Sequence, residues 1–272
     1  MKWLNFICVT ILSTSALAQF NNMSQDFIAD KSISWIKASY FDKGKNPSYQ
    51  IFYQFDSIGR VVESTTSDDI LTYWTYDDKN NISVKSTVNP AIGNKILEYA
   101  KGWQTYLVVI HSSEGDSIYH NIVYDTINTP QGKFIEAYDI VYPDEDTTYR
   151  QVFDMDGQMR RYEIISEGEA IASYTYVFIN GKLDYTEYYE GDKFVYKEKF
   201  TYYDDSDMRK QRVSVAGDDM FSNEETRYVT VYLVNDEGLL YEEVEYQGKK
   251  HTSTIGYNYE YYGRDSEEEE DR

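Results

Sequence analysis

The sequence predicts an all-β fold, an antiparallel meander of repeated β-hairpins forming one long twisted sheet that is free to curl. Three observations predict it. Short runs of residues alternate in polarity with period two, as a strand requires and a helix does not. These runs are rich in β-branched and aromatic residues, with 29 Tyr, 12 Phe and 4 Trp in 272 residues. Turn signals separate them every 8–12 residues or so, the spacing of all-β chains.

Residues 1–18, MKWLNFICVTILSTSALA, have the form of a signal peptide: Lys2, then an apolar run, then Ala16-Leu17-Ala18 before Gln19. The apolar run is too short to span a bilayer as a helix, which takes about 20 residues. Cleavage after Ala18 removes Cys8, the single cysteine, and Lys2, leaving 25 basic against 47 acidic residues, a net charge of −22. The exported chain is then held by packing alone, without disulfides. Residues 19–33 form a lead-in, 34–263 the hairpin domain, and 264–272 an acidic tail expected to be disordered. Helix signals are scarce, confined to 23–31 and 92–100. In the hairpin domain, Phe194, Tyr196, Glu198, Phe200 and Tyr202 share one face of a strand, and Val195, Lys197, Lys199, Thr201 and Tyr203 the other. The runs 170–179, 183–190, 226–234, 239–247 and 251–262 read the same way, and the whole domain holds roughly 18 strands. Nearly all connections are short, so neighbours pair antiparallel; 126–133 and 216–225 read as longer loops.

The turns repeat. Tyr53-Gln54-Phe55-Asp56-Ser57-Ile58-Gly59 is one copy, and Trp74-Thr75-Tyr76-Asp77 with Asn80 in the glycine place is a second. Phe153-Asp154 with Gly157 is a third; Tyr203-Asp204 and Tyr232-Leu233-Val234-Asn235 with Gly238 are degraded copies. Tyr176-Val177-Phe178-Ile179-Asn180-Gly181 is one residue shorter. The pattern is aromatic, any residue, aromatic, Asp, two residues, Gly, polar, apolar. The Asp accepts backbone N–H groups across the turn, and the Gly takes a positive φ. Asn180-Gly181 is a strong two-residue hairpin signal. Over about residues 48–262 this pattern resembles the YD repeat of RHS-type repeat proteins, and 180–194 is similar to MORN-like secreted repeats. The resemblance implies a hairpin-repeat fold and no catalytic residue. Large RHS shells enclose a toxin; a chain of this length does not close such a shell.

Composition narrows the function. A charge of −21 disfavours nucleic acid as a partner. An outer-membrane barrel is disfavoured because charges fall on both strand faces: Glu198 against Lys197 and Lys199, and Glu243 and Glu245 against Glu242. No membrane span is therefore expected, and the oligomeric state is open. His111, His120 and His251 lack zinc-ligand spacing. Gly115-Asp116-Ser117-Ile118 resembles the nucleophile block of GDS-type esterases, but that family is α/β, and 113–116 reads as a hairpin turn. Asp154, Asp156 and the run Asp144-Glu145-Asp146 offer calcium-type oxygens without a complete ligand loop, so turn capping is the expected role of the aspartates. No cofactor is expected. The exposed aromatic rows, with Trp35, Trp74 and Trp103 as candidate binding residues, suit stacking on a sugar ring or an envelope protein. The expected function is thus a non-enzymatic exported binding module for a glycan or envelope protein. The alternatives are a purely structural scaffold and, remotely, a hydrolase.

Overall fold

A computed structural model describes residues 25–42, 46–101, 104–142, 147–203, 209–216 and 227–262. The signal peptide, Trp103, the run 144–146, the loop 217–226 and the acidic tail lie outside the described residues. One short helix, α1 (Gln25–Asp30), precedes eighteen antiparallel strands among the described residues. In chain order these are β1 (Ile33–Asp42), β2 (Tyr49–Phe55), β3 (Val61–Thr66), β4 (Leu71–Tyr76), β5 (Ile82–Asn89) and β6 (Asn94–Lys101). There follow β7 (Gln104–His111), β8 (Ser117–Thr129), β9 (Gly132–Tyr142), β10 (Tyr149–Phe153), β11 (Met159–Ser166) and β12 (Glu169–Ile179). The last six are β13 (Lys182–Glu190), β14 (Lys193–Tyr202), β15 (Arg209–Ala216), β16 (Arg227–Val234), β17 (Leu240–Gln247) and β18 (Lys250–Tyr261).

The sheet is not open. Each strand pairs with its chain neighbours, and β1 also pairs with β18, so the meander closes into an 18-stranded barrel. Ala38 of β1 faces Tyr257 of β18 on one side and Ile51 of β2 on the other. This overturns the expected open or curled sheet. Its physical reason lies in the edges: an open sheet leaves two rows of unpaired backbone groups, and closure satisfies both. The expectation of no membrane span is overturned with it, because a closed barrel is the one β architecture able to cross a bilayer. No helix among the described residues is long and apolar enough to do so, which says nothing of a barrel.

Two local expectations also change. Of the two helical stretches, only the first holds, as α1; residues 94–101 form β6, where buried Asn94, Ile96 and Glu98 alternate with more exposed neighbours. The loop expected at 126–133 is instead the tip of the longest hairpin, β8–β9, paired out to Thr129 and Gly132.

The repeated turns shape the barrel. Asp56 Oδ1 accepts the Ile58 and Arg60 amides at 3.1 and 2.9 Å, and Asp77 Oδ1 those of Lys79 and Asn81 at 2.9 Å each. Asp154 does the same for Asp156 and Gln158, and Asn235 for Glu237 and Leu239. All four turns join an even-numbered strand to the next odd one, so they lie at one end of the barrel. Each is followed by a β-bulge, with Val62, Ser83, Arg160 and Tyr241 as the extra residues on the strands that leave the turns. A bulge bends its strand and sharpens the twist. Tyrosine hydroxyls cap carbonyls at the starts of the odd strands: Tyr76 donates to Val61 O at 2.6 Å, Tyr124 to Thr105 O at 2.8 Å, Tyr202 to Leu183 O at 2.9 Å, and Tyr259 to Leu240 O. The tyrosine-rich composition is thus partly a device for satisfying backbone groups where ladder pairing shifts.

Helix α1 packs at this same end. Ile28 joins Ile33, Phe55, Val61 and Leu239 in one apolar cluster. Gly59 fits beneath it because a Cβ there would lie 2.2 Å from the Gln25 carbonyl oxygen, and its φ is +80°.

Candidate functional site

Strand registers assign the inner face. Tyr53, Ser64, Thr72, Thr87, Ile96 and Ile110 follow one another across β2 to β7, and this is the more buried face. Its chemistry divides by sector.

Five tyrosines from consecutive strands β10–β14 stack on the inner face: Tyr149, Tyr162, Tyr174, Tyr188 and Tyr196, with successive ring centroids 6.2, 6.2, 4.7 and 5.1 Å apart. Tilted pairs of this kind are worth about 0.5–1.5 kcal/mol each beyond area burial.

A polar row crosses β4 to β8, where register places Trp74 beside Lys85, Lys85 beside Glu98, Glu98 beside Val108 and Val108 beside His120. Lys85 Nζ donates to Glu98 Oε1 at 2.7 Å, both side chains being nearly buried. His120 Nδ1 lies 2.9 Å from Asp139 Oδ2, and Asp139 is wholly buried. Asp139 also accepts the Thr148 and Tyr149 amides at 2.7 and 2.9 Å and the Thr148 hydroxyl at 2.5 Å. His120 Nε2 and Trp74 Nε1 are buried without a hydrogen-bond partner.

The third sector holds a cavity of about 260 Å³ inside β15–β18 and β1. Its charged lining is Arg209 and Arg212 from β15 and Glu243 and Glu245 from β17, the strands on either side of β16, with Tyr40, Tyr232 and Ser253 completing the wall. Arg212 donates to Thr230 Oγ1 at 3.1 Å. Its carboxylate neighbours Glu198 and Glu245 stand farther off, at 3.8 and 3.7 Å, so they attract the guanidinium without hydrogen-bonding it. Glu243 accepts the Tyr257 hydroxyl at 2.6 Å, and Glu245 the Ser253 hydroxyl at 3.1 Å. Alternation puts these residues inside because Arg212 pairs with Thr230, Thr230 with Glu245, and Glu245 with Ser253.

The candidate tryptophans do not converge. Trp35 is partly buried and shares its strand face with Lys37, on the outside; Trp74 is inside and buried; Trp103 lies outside the described residues. His111 Nδ1 meets the Ser117 hydroxyl at 2.8 Å across the β7–β8 hairpin, and Gly115 closes that turn. His251 meets Thr254 at 2.8 Å. Asp154 serves as a turn cap that also pairs with Arg160. No group of three metal-ligating side chains occurs among the described residues. The cavity arginines and glutamates were not singled out by sequence reasoning. Glu198, Glu243 and Glu245 carried the signal, as acidic residues alternating with apolar ones along a strand.

Outside, charge is uneven. Strands β9–β14 carry paired outward charges: Arg150 with Glu136 and Glu163, Arg161 with Glu163, and Lys197 with Glu187. Strands β4–β8 turn Tyr73, Val84, Leu97, Leu107 and Tyr119 outward, with Tyr73 and Tyr119 exposed.

No family model matches the chain, and no curated protein does. Among solved structures, a porin-like protein from Bacteroides uniformis superposes with a TM-score of 0.41 at 10% identity, over 85% of this chain and 97% of that one. A porin-like protein from Bacteroides vulgatus gives 0.39 at 11% identity, over 82% of this chain and 97% of the other. Both superpositions are loose, and the case for a closed barrel rests on this chain's own strand pairing.

Proposed function

We propose that this chain is a non-enzymatic β-barrel of the cell envelope that holds a small polar solute inside its wall. One observation carries the reading: the closed wall leaves a cavity of about 260 Å³ into which the polar side chains of Arg209, Arg212, Thr230, Glu243, Glu245 and Ser253 converge. Small-molecule sites are concave and use a few convergent polar groups of this kind. The signal-like N-terminus supports export. A thermal-shift screen of small sugars, amines, carboxylates and amino acids on the secreted chain tests it. A solute that raises the melting temperature of the parent but not of Arg212→Gln supports the reading. No stabilising solute, or equal effects on both proteins, defeats it.

A second reading, a barrel inserted in a membrane, is favoured by the outward apolar sector of β4–β8 and by the pairing of the outward charges of β9–β14. Flotation with lipid vesicles and resistance to carbonate extraction support insertion; recovery of the whole chain in the soluble fraction excludes it.

A further inference from the structure

We propose that the cavity inside β15–β18 and β1 binds a single neutral sugar ring, an inference that rests on the solute-holding reading above and names its ligand class. The charges around the cavity are balanced among themselves. Arg212 is ion-paired with Glu198 at 3.8 Å and with Glu245 at 3.7 Å. Arg209 donates to the Tyr232 hydroxyl and lies over the Phe200 ring, and both arginines attract Glu243. An anionic ligand competes with these carboxylates for the guanidinium groups. A cationic ligand competes with the guanidinium groups for the carboxylates. A neutral ligand leaves every ion pair in place.

Hydrogen-bonding capacity, unlike charge, is left over. Arg212 spends one contact on Thr230 Oγ1 at 3.1 Å, and its carboxylates lie beyond hydrogen-bond reach, so other N–H groups of its fork stay available. The Thr230 hydroxyl, having accepted that bond, keeps its own proton to donate. Glu243 accepts the Tyr257 hydroxyl at 2.6 Å, and a carboxylate has room for further donors. Glu245 is the exception, already accepting the Ser253 and Thr252 hydroxyls at 3.1 and 3.5 Å. The Tyr40 hydroxyl has no hydrogen-bond partner among the described residues.

Donors and acceptors therefore converge from β1, β15, β16 and β17 without a net charge to neutralise. A hydroxyl both donates and accepts, so several hydroxyls fixed around one ring meet such a mixed set. Their bonds to Arg212 and Glu243 are charge-assisted, roughly twice as strong as bonds between neutral groups. Ile255 and the rings of Tyr40 and Tyr232 offer apolar surface to the C–H groups of the sugar. The volume of about 260 Å³ lies just below the range of about 300–1,000 Å³ that takes drug-sized ligands, which suits one ring and not an oligosaccharide.

Calorimetric titration of the secreted chain with D-glucose and D-galactose, and with the uronate and the 2-amino sugar of each, tests the assignment. At about pH 6 the amine is protonated and the uronate ionised. The expected result is binding of at least one hexose, with its uronate and its amino sugar each at least about ten-fold weaker. Tyr40→Phe removes a hydroxyl that no described protein group uses, so it should keep the parent's melting temperature and weaken that hexose several-fold. Arg212→Gln should weaken it at least about ten-fold. A uronate or amino sugar that binds as tightly as its hexose overturns the neutral ligand while sparing the solute-holding reading. Unchanged hexose binding by Tyr40→Phe overturns its placement in this cavity. No binding by either hexose overturns the sugar, and it defeats the broader reading only if the solute screen is empty too.

Discussion

Removing the Asp139 carboxylate should be among the most damaging single changes in this barrel. The side chain is fully buried and accepts four hydrogen bonds: two amides, Thr148 and Tyr149, the Thr148 hydroxyl, and His120 Nδ1. It therefore ties β8 and β9 to the start of β10. Asp139→Ala leaves these donors without an acceptor. A buried donor left unmade costs about 1–3 kcal/mol. The Thr148 hydroxyl can turn away, since Thr148 is only partly buried. The Tyr149 amide and the imidazole, on two buried residues, cannot reach water without opening the wall. A loss of about 3–5 kcal/mol follows, in the range measured when one partner of a buried pair is removed. Asp139→Asn keeps the shape and one acceptor oxygen, so about 1–3 kcal/mol is expected. Urea unfolding followed by tryptophan fluorescence gives both values. A loss under about 1 kcal/mol for Asp139→Ala, or equal losses for Ala and Asn, would refute the reasoning.

Three further outcomes follow from particular contacts. Gly59→Ala should destabilise by about 1–3 kcal/mol and release α1, since the added methyl meets the Gln25 carbonyl oxygen at a positive φ; limited proteolysis near residue 30 reads the release, and unchanged cleavage with unchanged stability contradicts it. Tyr202→Phe should cost about 1 kcal/mol by uncapping the Leu183 carbonyl, whereas a neutral result would show that carbonyl satisfied otherwise. The Asn81 backbone N–H, then its side chain, hold the Asp77 carboxyl below the usual carboxylate range. A lowered folded-state value contributes stability above the unfolded pKa of about 3.9 that is lost as pH falls through the folded value. Asp77→Asn should flatten the acid limb of the stability profile, and an unchanged limb would count against the cap.

Much of the wall is legible in the sequence. Period-two alternation in 194–204 places Phe194, Tyr196, Glu198 and Phe200 on one face, and register puts Tyr196, Glu198 and Phe200 together inside the barrel. The Asp-and-Gly turns form as their residues dictate, with Asp56, Asp77 and Asp154 each accepting two amides. Closure is not legible, because alternation divides residues between two faces without saying which is concave or whether β1 meets β18. That ambiguity is why charges on both faces argued against a barrel: Glu243 and Glu245 line the interior, and Glu242 alone of the three points outward. Residues 94–101 misled because Ile96, Leu97 and Tyr99 fit a helix face about as well as a strand, and only pairing with β5 and β7 decides. The candidate site was hidden for a related reason. Arg212, Glu243 and Ser253 are far apart in the chain and meet only through the register of β15 to β18.

The pairing of β1 with β18 can be measured directly. Lys37 and Asn258 face each other across that seam on the outer face. In a barrel their Cα atoms stand about 4.5–5.5 Å apart, within disulfide reach. In an open eighteen-strand sheet the same residues lie about 80 Å apart, at about 4.8 Å for each strand step. With Cys8, the single cysteine, replaced by Ser, the pair Lys37→Cys and Asn258→Cys should form an intramolecular disulfide in high yield, found by mass spectrometry in the monomer. A chain that stays reduced, or cross-links only between molecules, contradicts the closed barrel.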